Sequence, residues 1–104
     1  MEPVHVVAII TAKPGRRAEL LDAFKANVPN VHAEEGCIEY VATVDAEGAG
    51  DVQTRFGADT FVVVERWASL DALKAHAAAP HMAAYAARTK DLIGSRTIHV
   101  LSPA

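Results

Sequence analysis

Glu65, Trp67, His76, His81 and Tyr85 carry the side chains best suited to chemistry, and they fall within 21 residues of one another. All five lie in an otherwise apolar stretch, FVVVERWASLDALKAHAAAPHMAAY, from Phe61 to Tyr85. On a strand, Glu65 shares a face with Phe61, Val63 and Trp67, because side chains alternate. A carboxylate in that company is either paired or driven toward its neutral form by lost hydration. An imidazole is the usual proton acceptor near neutral pH. His81 follows Pro80, which suits the first turn of a helix. The positive end of a helix disfavours further positive charge, so a neutral imidazole there can act as a base. The combination points to a small apolar pocket containing a proton-transfer group.

A structural reading of the same residues stays open. Glu65 can pair with an Arg, a His or a backbone N–H and simply hold the fold. Trp67 and Tyr85 can be core. His76, flanking the Leu73 stripe, and His81 can be surface or capping residues. Their spacing puts a helix break between them, so a zinc pair at i, i+4 is not implied. His5, His32 and His99 are scattered, no three-ligand cluster is legible, and no metal site is expected. Cys37 reads as a small buried hydrophobe. There is no GxSxG, P-loop or GxGxxG pattern, which leaves nucleophile-elbow, nucleotide-binding and Rossmann chemistry unsupported.

The elements that must position these groups follow from the apolar periodicity. Val4 to Ala12 reads as a buried strand, broken by Lys13-Pro14-Gly15. From Arg16 a helical stripe runs through Leu21, Phe24, Val28 and Val31, with a kink or break expected at Pro29 and a C-cap at Gly36. Cys37 to Asp45 and Thr60 to Ala68 are strands, joined by a mobile loop or loose hairpin over 46–59. Ser69 caps a short helix whose buried side is Leu70, Leu73 and Ala77. A further helix starts at Pro80, carries Met82, Tyr85, Ala86, Thr89, Leu92 and Ile93 on one face, and ends at Gly94. Arg96 to Leu101 is the last strand. The order β-α-β-β-α-β, with the second α split, is the α+β ferredoxin-like plan: helices on one face of an antiparallel sheet.

That plan leaves a face uncovered. Yet the strands are apolar on both sides: Val7 and Ile9 oppose Val4, Val6, Ala8 and Ile10, and Val62 and Val64 oppose Phe61 and Val63. A solvated face would carry alternating polar residues. The bare face is therefore expected to pack on a second copy of the chain, as a homodimer.

The 104 residues suit one domain, 1–104, able to bury roughly 65% of its unfolded surface. The formal net charge is −3 and there is no basic block, so neither nucleic acid nor an anionic membrane is expected as a partner. No apolar run approaches ~18 residues, and MEPVHVVAII lacks a basic leader region. One cysteine excludes an intrachain disulfide. A cytoplasmic protein is expected.

The chain resembles the antibiotic biosynthesis monooxygenase family, and its quinol monooxygenase branch in particular. The resemblance rests on Lys13-Pro14-Gly15, Val28-Pro29, Glu34-Glu35-Gly36-Cys37 and Val44-Asp45. It is densest in Val64-Glu65-x-Trp67-x-Ser69, Leu73-x-Ala75-His76 and Pro80-His81-Met82-x-x-Tyr85, and it ends at Ile98-x-Val100-Leu101-x-Pro103. It implies a dimeric α+β barrel with one pocket per subunit between sheet and helices. It also implies oxidation of small quinols or phenols by O2 with no cofactor. In that reading His76 or His81 is the base and Glu65 orients it. Trp67, Tyr85, Phe24 and Val63 line an enclosed chamber roofed by the last two helical segments. Val63 stands where antibiotic-producing members place an Asn. Ala8 and Ala86 stand where haem-degrading members place an Asn and a ligand His, so those activities are not expected. Isomerases of a phosphorylated sugar also occur in the branch; Arg55, Arg66, Lys74 and Arg88 are the candidate phosphate partners. A non-enzymatic, small-molecule-binding dimer is the remaining alternative.

Overall fold

A glycine at position 36 decides how the second half of the chain meets the first. In the computed structural model, which describes residues 2–104, Gly36 has φ +84°. A Cβ there would lie 2.6 Å from the Cβ of Ala72. The residue thus permits both a left-handed turn and a close approach of the following helix. Its carbonyl accepts the Ala68 N–H at 2.8 Å, which ties the turn to the end of a strand.

The strands are β1 (Val4–Ala12), β2 (Cys37–Thr43), β3 (Thr60–Trp67) and β4 (Ile93–Leu101). They form one antiparallel sheet in the order β2-β3-β1-β4. The helices are α1 (Arg17–His32), α2 (Leu70–Ala77) and α3 (Pro80–Thr89). This is the α+β ferredoxin-like arrangement with the second helix split, as the periodicity predicts. The Ser69 hydroxyl accepts the Ala72 N–H at 3.1 Å and caps α2 as expected.

The core lies between the sheet and the helices. Val4, Val6, Ala8, Ile10 and Ala12 of β1 are buried beside Phe61, Val63 and Trp67 of β3, under Leu20, Phe24 and Val31 of α1. On the opposite face, His5, Val7, Ile9, Val62 and Val64 are only half-buried. The helices also stop short of β4, where Ile98 and Val100 are about half exposed.

Several local expectations change. Helix α1 runs through Pro29 as a single element. Pro29 and Lys25 are both exposed, so the Lys25 carbonyl that loses its partner can be hydrated, while Phe24 and Val31 hold the helix down on either side. Its buried stripe is Leu20, Phe24, Asn27 and Val31, with Leu21 and Val28 at the margin. In α2, Leu70 and Ala77 are exposed and His76 is the buried residue. In α3 only Thr89 is buried, Met82 and Tyr85 are half-buried, and Ala86 is exposed. Ile93 and Gly94 belong to β4, not to the last helix. Gly94 is there for space: a Cβ would lie 3.2 Å from the Thr11 carbonyl oxygen, beside the register shift in β1–β4 pairing. The 46–59 loop contains a short 3-10 turn at Gly50–Val52 and is closed at its base by Asp45. That carboxylate accepts the N–H groups of Phe56 and Gly57 at 3.0 and 2.9 Å, and those bonds hold it below the usual carboxylate range.

Candidate functional site

Gly36 lets α2 close onto the α1–β2 turn, and the turn carries Glu34. Three polar side chains meet there. The Nδ1 of His76, on α2, lies 2.9 Å from Glu34 Oε2 and 3.2 Å from Oε1. The Nε2 of His81, in the first turn of α3, lies 2.7 Å from the same Oε2. The break between α2 and α3 is what brings both imidazoles to one carboxylate: Ala79 is extended (ψ 139°) and Pro80 starts the new helix.

The protonation pattern follows from donor and acceptor types. A carboxylate accepts hydrogen bonds and does not donate them. Each ring nitrogen facing Glu34 therefore carries the hydrogen. In the neutral imidazoles this leaves a lone pair on Nε2 of His76 and on Nδ1 of His81. The two rings differ in access. The His76 side chain is 8% exposed, Glu34 14% and His81 26%.

His76 is packed by aromatic rings. Its centroid lies 4.6 Å from that of Trp67 and 5.4 Å from that of Tyr40. Tyr40 in turn stacks on Phe24 at 5.1 Å, and Phe24 meets Tyr85 edge-on at 6.3 Å. Glu65 sits behind this layer, buried on β3, and accepts the Trp67 Nε1–H at 2.9 Å. Burial pushes its carboxyl pKa up; the Trp67 bond and the nearby His76 oppose that rise. Burial likewise pushes the phenols of Tyr40 and Tyr85 and the Cys37 thiol up, so all three stay protonated at neutral pH.

The structure thus brings His76 and His81 together, but around Glu34 and not around Glu65. Glu65 is bonded to its strand neighbour Trp67. The expected wall residues divide between the core and a groove. Trp67 and Val63 are closed into the core, the indole packed at a tilt against the His76 ring. Tyr85 is half-buried at its edge. The groove, of about 510 Å3, opens between α1 and β2. It is lined by Phe24, Val28, Ile38, Tyr40, Val41 and Ala42, with Lys25, His32 and Glu39 among its polar groups. Tyr40 is shared, touching the groove residues on one side and the His76 ring on the other.

Sequence reasoning missed Glu34 and Tyr40. Glu34 lies 42 residues from His76, in a turn recognisable only as a helix end. Tyr40 lay in plain view on β2, on the same face as Glu65, its partner in the register. Two of the candidate phosphate partners, Arg66 and Arg55, point away from the site. Arg66 projects from the bare face of β3, and Arg55 reaches Glu47 at 3.9 Å.

Comparison with known proteins decides the family. Residues 3–88 match the family model for antibiotic biosynthesis monooxygenase. The chain belongs to that family. The matched span contains Glu34, His76 and His81. The chain is also 37% identical over 100 residues to an Escherichia coli (strain K12) relative named "Probable quinol monooxygenase YgiN", covering 94% of this chain and 95% of that one. Among solved structures, PA3566 from Pseudomonas aeruginosa superposes with a TM-score of 0.82 at 26% identity, covering 100% and 96% of the two chains. Rv0793 from Mycobacterium tuberculosis gives 0.79 at 29% identity, covering 98% and 95%. Membership of the antibiotic biosynthesis monooxygenase family places the chain among monooxygenases acting on small molecules. Among the described residues no helix is long and apolar enough to cross a membrane.

Proposed function

We propose that this monooxygenase oxidises a small quinol or related phenol with O2 and without a cofactor, using an imidazole as the base. The observation that carries the reading is the Glu34–His76–His81 constellation: one carboxylate holding two imidazoles in fixed tautomers beside an aromatic layer. His81 is the proton acceptor. Its ring is the more exposed of the two, and its Nδ1 keeps the lone pair. Glu34 orients both rings and stabilises the imidazolium as it forms. His76, wedged between Trp67 and Tyr40, fixes the carboxylate from the other side.

The chemistry needs no more than this from the protein. A quinol that loses an O–H proton becomes a strong one-electron donor and can reduce O2 itself. Recombination of the two radicals forms a C–O bond. Loss of water then leaves a hydroxyquinone, so that quinol and O2 become hydroxyquinone and H2O. In this reading the substrate's aromatic ring lies in the α1–β2 groove against the exposed Ile38 and Val41, with the mutually stacked Phe24 and Tyr40 also in its lining, and Trp67 backs the imidazole. The name of the 37% identical relative agrees with a quinol as the reductant.

The working unit in this reading is a cytoplasmic homodimer whose two sheets close into an α+β barrel. Its support is the half-buried apolar row Val7, Ile9, Val62 and Val64 on the uncovered face. A typical interface buries about 800 Å2 per partner. Sedimentation should therefore give twice 11.0 kDa, and Val64→Lys should give the monomer mass. A monomeric wild type would contradict the barrel. The activity is tested by oxygen uptake against a panel of hydroquinones with a chelator present. Saturable uptake supports the reading, and no uptake above the uncatalysed rate with any of them refutes it.

A further inference from the structure

Glu34, His76 and His81 present one carboxylate oxygen and two ring nitrogens that all lie within 4.8 Å of one another. Two of the three separations are already 2.9 and 2.7 Å. Ligand atoms about a tetrahedral ion stand roughly 3.3–3.5 Å apart when the bonds are ~2.0–2.1 Å. The cluster needs only to open by some tenths of an ångström. Glu34 is free to give that, since it sits in a turn and not within a regular element. Two imidazoles and a carboxylate are the donor set of many divalent zinc, copper and iron sites, and partial exposure on the His81 side leaves room for water as a further ligand.

We propose that these three residues form a binding site for a divalent first-row transition ion of the Zn2+ or Cu2+ kind, and that an ion seated there removes the site from proton transfer. The ion takes Nδ1 of His76, Nε2 of His81 and a carboxylate oxygen of Glu34. Each imidazole then moves its hydrogen to the far nitrogen, with no net proton gained or lost. On His81 the far nitrogen is Nδ1, whose lone pair the base function requires. Metal binding and proton acceptance are therefore mutually exclusive on that ring. The ion is an inhibitor here and not a cofactor. This second half rests on the function proposed above; the metal site itself does not.

The chain's single tryptophan reports on the site, because the Trp67 ring lies 4.6 Å from the His76 ring, centroid to centroid. Chelator-stripped full-length protein is titrated with Co2+, following its visible absorption and Trp67 fluorescence. One Co2+ per chain should bind, with quenching, and Zn2+ should displace it. Glu34→Gln and His81→Ala should each weaken binding by about tenfold or more, while His99→Ala, an exposed position on β4, leaves it unchanged. Absence of saturable binding, or binding that survives both substitutions, overturns the site. In oxygen uptake with a quinol, the rate should fall in proportion to Zn2+ occupancy and recover on chelation. A rate unchanged or raised at full occupancy overturns the competition. A protein that oxidises no quinol refutes the function proposed above, and the Co2+ titration then still decides the metal site.

Discussion

Two carboxylates lie near the His76 ring, and they are held in opposite ways. Glu65 stands on β3 inside the core, with one partner, the Trp67 indole two residues along the same strand. Glu34 stands on the turn after α1, part-exposed, with two imidazoles from two helices as partners. The first arrangement is local and could form in any strand with that spacing. The second exists only because three separate segments converge. Burial alone, which marks Glu65, identifies a group the fold must satisfy. Convergence of titratable groups at the edge of solvent, which marks Glu34, is the arrangement on which the proposed proton transfer to His81 rests.

The contrast can be broken at several points. The largest expected effect is on stability at the Glu65 side. Trp67→Ala removes a fully buried ring, orphans the Glu65 carboxylate and should cost about 3–5 kcal/mol in chemical denaturation. A loss below 1 kcal/mol would mean that the indole is not a core element. Next comes the Glu34 side, where the effect should fall on rate. Glu34→Gln keeps the side chain's volume but cannot hold both N–H groups on one anionic oxygen. The turnover rate should drop by ~10²-fold, about 2.7 kcal/mol, with stability little changed. An equal loss of stability would make Glu34 structural and erase the distinction.

The smallest effect should come from Glu65→Gln. The amide oxygen can still accept the Trp67 N–H, and the cost of burying a charge disappears. Because burial raises the Glu65 pKa above its unfolded value, protonation favours the folded state. That contribution is present at low pH and is lost as pH rises through the raised folded value. The variant should therefore gain on the wild type as pH rises through that window, by of order 1 kcal/mol, with a rate within a few-fold of wild type. Denaturation midpoints of the two proteins from pH 4 to 8 check the sign. A variant less stable than wild type above the window would show that Glu65 is held as a favourable anion.

The fold was legible because its signals are local. The Val/Ile-rich run of β1, the Ser69 cap and the Pro80 start each act over a few residues. The helix through Pro29 was not, because whether a lost hydrogen bond breaks a helix depends on which side faces water. Gly94 was misread for a related reason: its role comes from the Thr11 carbonyl opposite, not from its neighbours in sequence. At the site, the two histidines were legible as candidates from their residue type and the helix break between them. Their common partner was not. Glu34-Glu35-Gly36 reads locally as a helix end, and only the close approach of Ala72 to Gly36 turns that end into one wall of a site. Which wall residues line open space was not legible either, since apolar composition does not tell a groove-lining ring such as Phe24 from a core ring such as Trp67.

The imidazole of His81, held by Glu34, is the acceptor in this account, and one comparison addresses it directly: oxygen uptake by wild type and His81→Ala with a small hydroquinone in the presence of a chelator, both proteins first shown folded by circular dichroism. Wild type should consume oxygen at a saturable rate, and the variant should be slower by ~10²–10⁴-fold. A variant that matches wild type would contradict the account.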